Sequence, residues 1–207
     1  RRSEDVSLLE AACDLLIDAG KSSQAAQLWR QLGHATGLLT NGDFSQTPND
    51  HGFDWRLLQQ AGVKHANLVA PRRHRISLSG MQAESCELLR QYVVLEPGMR
   101  YRLRWDARTL NLDSPTGLEW ITGDNKVVVA NTADWRGGSM LFTAHAGLAT
   151  VMLTYRRPQG QPRAEGSVGK GRRNHRPERH GQTQGRGAAS FTTHIVPAPG
   201  GALSIAP

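Results

Sequence analysis

Apolar residues over the first twenty positions recur at helical spacing. In VSLLEAACDLLIDA, residues 6–19, Leu8, Leu9, Ala12, Leu15, Leu16 and Ala19 share one face, and Gly20 follows as a stop signal. A second helix is predicted in QAAQLWRQL, with Ala25, Leu28, Trp29 and Leu32 on one face and Ser22 or Ser23 available as its cap. Two helices joined by a tight turn cannot bury both apolar faces alone. Residues 1–37 therefore read as a helical hairpin that is either the last repeat of a helical array or a cap on the next domain.

From Leu38 the period changes to two. Strand-like runs follow at GLLTNGDFS, FDWRLL, VKHANLV, HRISLSG, ELLRQYVVL, MRYRLRWDAR, GLEWITG, NKVVVAN, SMLFTA and ATVMLTYRR, separated by Gly, Pro, Asn and Asp. Many short strands at this spacing predict a mainly β fold, a sandwich or barrel over residues 38–160, and not an alternating β/α sheet. In RYRLRWDAR, residues 100–108, Tyr101, Leu103, Trp105 and Ala107 face one way, and Arg102, Arg104, Asp106 and Arg108 face the other. Beyond residue 157 the alternation stops. Residues 166–190 are dominated by Gly, Arg, His, Gln and Asn, and HIVPAPGGALSIAP is short and Pro-rich, so 161–207 is predicted to be a disordered basic tail.

Charge adds its information through location. Residues 1–155 hold sixteen basic and sixteen acidic side chains, whereas 156–207 hold nine against two, which accounts for the whole formal charge of +7. A basic tail binds polyanions indiscriminately, so no specific nucleic-acid partner is expected of the folded part. Cys13 and Cys86 fall in different predicted units, which argues against a disulfide framework. No apolar run reaches the roughly 18 residues of a membrane span, and no signal peptide opens the chain. The start at RRSEDV, without Met, leads us to expect a piece of a longer protein.

Catalytic motifs are missing: there is no Gly-x-Ser-x-Gly, phosphate loop, HExxH or Cys/His metal spacing, so the expectation is a protein that is not an enzyme. Asp54 and Glu119 are the one carboxylate pair weighed for glycosidase chemistry, and exposed surface charge is the stronger reading. Recognition of a sugar needs an aromatic face for the pyranose and a few fixed polar groups. Trp55, Trp120 and Trp135 are the candidate platforms, with Gln91, Arg104, Asp54 and Glu119 as polar partners, while Trp105 alternates with Leu103 and reads as core.

NGDFS at 41–45, GFDW at 52–55, QYVVLEPGMRYRLRWDAR at 91–108, WRGGSMLFTA at 135–144 and ATVMLTYRR at 149–157 occur in an order that resembles jelly-roll carbohydrate-binding modules of galactose-binding-like fold. It is similar in particular to modules at the C-terminal end of bacterial tetratricopeptide-repeat proteins. The resemblance implies a jelly-roll β-sandwich after a helical hairpin and non-catalytic binding of a polysaccharide or glycan, such as an exopolysaccharide or cell-envelope polymer. It also implies a protein partner recruited through the repeats, and a place in the cell envelope or outside the cell. Trp55, Gln91, Arg104 and Trp120 are the ligand-binding residues expected on this basis.

Asn41 and Asp43 stand where related modules often hold a structural Ca²⁺, the alternative being a turn in which Asp43 bonds locally. No other cofactor is expected. Modules of this family close with a further strand after the region that here ends in EGSV. Its absence from the pattern suggests a shifted reading frame after about Val168 and a sandwich with an open edge. The rival function is a protein-interaction scaffold that has no sugar site. Burial of Trp55 and Trp120 together would favour the scaffold, and exposure of one beside Arg104 would favour the sugar.

Overall fold

The computed structural model describes residues 3–34, 37–69, 72–112, 115–166 and 187–198. Helices α1 (Ser3–Asp18) and α2 (Ser22–Gln31) form the expected hairpin. Gly20 adopts φ 72°, a left-handed conformation that costs glycine little. Its N–H donates to the Ile17 carbonyl (2.9 Å) and that of Lys21 to Leu16 (2.8 Å), so the last carbonyls of α1 are satisfied within the turn. The turn is so short that Lys21, not a serine, occupies the cap position of α2, with no side-chain cap bond; Ser22 and Ser23 already lie in the first helical turn.

The buried stripe of α1 is centred on Cys13 and Ile17, which meet Ala25 and Trp29 of α2. Leu8 and Leu15 point away and are 73% and 72% exposed. The periodicity of α1 is compatible with two adjacent stripes, and packing against α2 selects one of them.

Eleven strands follow among the described residues: β1 (Arg56–Leu57), β2 (Val63–Val69), β3 (Arg72–Ser79), β4 (Ser85–Val94), β5 (Arg100–Leu110), β6 (Leu118–Thr122), β7 (Asn125–Val128), β8 (Arg136–Thr143), β9 (Leu148–Arg156), β10 (Glu165–Gly166) and β11 (Gly187–Pro197). They form two antiparallel sheets of a jelly-roll β-sandwich, ordered β1-β4-β9-β6-β7 and β2-β3-β10-β11-β5-β8. The core between them takes alternate residues of each strand, including Leu103, Trp105 and Ala107 of β5 and Val151, Leu153 and Tyr155 of β9.

Two sequence expectations need correction. The run GLLTNGDFS is not a strand: Asn41 (φ 51°) and Phe44 (φ 52°) turn the chain, and the ring of Phe44 stacks on Trp55, 5.4 Å between centroids. The expected disorder of 161–207 fails over 187–197, where β11 lies between β3 and β5 and pairs with β5 from Ala188↔Leu110 to Pro197↔Tyr101. The position of the closing strand is therefore filled, and the sheet is not open there. Residues 167–186 and 199–207 lie outside the described residues.

The hairpin is fastened to the first sheet. Trp29 and Phe53 cluster with the outward side chains Tyr92, Val94 and Leu148. Asp14 of α1 accepts from the Gly52 N–H (2.8 Å) and from Arg56 (2.5 Å), and it meets His51 Nδ1 at 2.7 Å. Gly52 is required here, because a Cβ would lie 2.4 Å from the Trp29 ring. No helix among the described residues is long and apolar enough to cross a membrane.

Candidate functional site

Three of the four expected ligand-binding residues are buried. Trp55 and Trp120 have no exposed surface and lie 6.0 Å apart in the core, where Trp120 also meets Trp105. Burial costs them any role as a platform. Gln91 is equally enclosed, and its amide donates to the carbonyls of Thr40 and Phe53, both at 2.7 Å, pinning the loops before β1. Arg104 alone is exposed.

Asn41 and Asp43 form the turn. The Asn41 amide donates to the Gln46 carbonyl (3.0 Å) and accepts the Gln46 N–H (3.0 Å), while Asp43 accepts the Ser45 N–H at 3.0 Å. Burial pushes the Asp43 carboxyl up, but the hydrogen bonds from Ser45 and the charge of His194 outweigh it and leave it below its ordinary range. Both residues line a polar cleft of about 400 Å³ between hairpin and sandwich, together with Glu10, His34 and Asp54. Asp54 is buried, which raises its pKa, and its oxygens accept the N–H groups of Trp55 (2.7 Å) and Asn49 (3.2 Å). Among the described residues no group of three His, Cys, Asp or Glu lies together, and the side-chain oxygens of Asn41, Asp43 and Asp54 each accept a backbone N–H. Glu119 faces outward on β6, whereas the Asp54 carboxyl is enclosed.

The second sheet presents a different surface. Its outer side carries Arg73 and Arg75 from β3 and Arg100, Arg102, Arg104 and Arg108 from β5, each in the alternation that sends the intervening residues into the core. β11 joins these strands: Ser190 is in register with both Arg75 and Arg108, and His194 with Arg104. Just before β8, Trp135 lies on this side, 36% exposed, with the Arg73 guanidinium 4.0 Å and that of Arg108 5.5 Å from its ring centroid. Such contacts hold a guanidinium flat on the indole and leave its edge free to donate. At its β8 margin the face meets a depression of about 240 Å³ lined by Trp105, Arg136 and Gly138. Gly138 keeps it open, since a Cβ would strike the Trp105 ring at 2.4 Å.

Arg104 and Trp135 were legible as candidates. Arg73 and Arg75 were not, because nothing in the sequence says that β3 and β5 share a face across a strand more than eighty residues further along; the alternation in RRHRIS was the available signal.

No protein-family model matches the chain, and no curated protein matches it. Similar solved structures include carbohydrate-binding modules. A CBM4 module is 14% identical, covering 77% of this chain and 99% of its own, with a TM-score of 0.49. TmCBM61, solved with β-1,4-galactotriose, is 15% identical over 79% and 100%, TM-score 0.45. The apo CBM1 of BiXyn10A is 13% identical over 75% and 95%, TM-score 0.48.

Proposed function

We propose that this chain is a non-catalytic glycan-binding module whose binding surface is the outer face of the second sheet. The observation that carries the reading is the indole of Trp135, exposed on a broad sheet face and framed by arginines. A polysaccharide offers an extended row of hydroxyls and apolar ring faces, and an open sheet with an aromatic and many fixed donors matches that shape better than a deep pocket does. The sequence resemblance to carbohydrate-binding modules supports the same reading. On that resemblance the hairpin ends a bacterial tetratricopeptide array, which recruits a protein partner to an exopolysaccharide or cell-envelope polymer.

A glycan-array screen of the chain beside Trp135→Ala, with folding checked by circular dichroism, tests the reading. Binding that the folded variant loses supports it; binding that the variant keeps removes Trp135 from the site.

A second reading, the protein-interaction scaffold, draws on two observations. Trp55 and Trp120 are buried together, and Leu8 and Leu15 form an exposed apolar stripe on α1. A folded wild type that binds no glycan on the array favours the scaffold.

A further inference from the structure

Charge balance over residues 1–155 conceals a segregation. On the outer face of the second sheet six arginines stand against Asp106, with Glu165 at a corner beside Gly80. None of Arg73, Arg102, Arg104 or Arg108 has an ion-pair partner among the described residues; the ion pairs found there involve other cations. The Nε atoms of Arg73, Arg102 and Arg108 are also buried without a hydrogen-bond partner among those residues. Buried donors of this kind are rare in folded proteins.

Resting on the glycan-binding reading above, we infer that the ligand is an acidic polysaccharide, one that carries carboxylates on its sugar units. Stacking by Arg73 covers part of the Trp135 ring, so an uncharged pyranose would have to displace a guanidinium to reach it. A carboxylate instead meets the guanidinium edge-on and accepts two parallel N–H bonds, leaving the stack in place. Arg100, Arg102 and Arg104 follow one another along β5 at intervals of about 7 Å, the two-residue repeat of a strand. A chain of uronate units laid along that strand would meet a guanidinium repeatedly, so affinity should grow with chain length. Single-stranded nucleic acid fits less well, because it calls for successive aromatic platforms and Trp135 is the one exposed aromatic on this face among the described residues.

Affinity electrophoresis of the full chain tests the inference, with gels containing polygalacturonate, methyl-esterified polygalacturonate, dextran sulfate, neutral β-1,4-galactan or polyuridylate. The same gels are run with Arg104→Gln/Arg108→Gln and with Arg104→Lys/Arg108→Lys, each with its fold checked by circular dichroism. Retardation by polygalacturonate, lost on esterification and weakened at least about tenfold in the Gln pair and in part in the Lys pair, is the expected result.

Retardation by galactan alone would overturn the acidic ligand and leave the glycan module standing. No retardation by any glycan would overturn both. Stronger binding to dextran sulfate or polyuridylate than to polygalacturonate would overturn the carboxylate. Retardation unchanged in the folded Gln pair would assign polyanion binding to the basic segment after residue 156 and overturn the site.

Discussion

Trp55 and Trp120 show what alternation reveals about a single side chain. In LEWIT, Trp120 shares a face with Leu118 and Thr122, all three of which are buried, so the alternation that could have marked it as core ran against the platform role expected of it. Trp55 alternates with Phe53 and Leu57 but precedes the two-residue strand β1, and the stacking of Phe44, the contact with Trp120 and the bond from its indole N–H to the Asn41 carbonyl (3.2 Å) enclose it. Trp55→Ala is expected to destabilise the fold by about 3–5 kcal/mol, the cost of a large core cavity, measurable by chemical denaturation. Near-wild-type stability would contradict its burial.

His74 is a second residue whose place was hidden in the sequence. It is fully buried, with Nδ1 2.7 Å from Asn67 Oδ1 and Nε2 3.0 Å from His65 Nδ1. Burial, aided by His65, pushes its pKa down to about 3. The unfolded chain therefore takes up the proton first, near pH 6.5. The stability that His74 lends the fold is complete above that pH and is lost as pH falls toward its folded value. Asp54, whose pKa is raised, gives the opposite slope but is common to wild type and variant. Between pH 7 and pH 4.5 the thermal midpoint of the wild type should fall more than that of His74→Gln; equal slopes would contradict the assignment.

Strands with one wet face were legible from period two alone, and β2 to β9 follow the predicted runs closely. β11 was missed for a physical reason. Its first residues are Gly and Ala, its last is Pro, and it follows a stretch without apolar periodicity, although Thr192, Thr193, Ile195 and Val196 carry β-branched side chains. Its backbone joins the sheet to the turn, since Thr193 N–H donates to the Gly42 carbonyl at 2.6 Å. Thr193→Pro removes that donor within a central strand and should cost about 1–3 kcal/mol for the orphaned carbonyl alone. His194→Ser, at an exposed neighbour, should stay within about 0.5 kcal/mol of wild type. Equal stability of the two variants would place this segment outside the sheet. The hairpin gives a parallel test. Asp14→Ala, which frees Gly52, His51 and Arg56 together, should speed hydrogen exchange in α1 while leaving β4 and β9 protected; unchanged exchange in α1 would show that apolar packing alone holds the hairpin.

Taken as a whole, the molecule places its aromatic mass inside and its arginines on one side. Neither net charge nor motif order shows this, because the face is assembled from β3, β11, β5 and β8, which are remote in sequence. Of the five tryptophans, four are buried and Trp135 is exposed, so the indole N–H groups report ligand position without any mutation. The decisive measurement is a ¹⁵N-resolved titration of the indole resonances with a panel of acidic and neutral oligosaccharides. The account predicts a saturable shift of the Trp135 signal, with Trp29, Trp55 and Trp120 unmoved. Shifts confined to a buried tryptophan, or no shift with any oligosaccharide, would contradict a glycan site on the outer face of the second sheet.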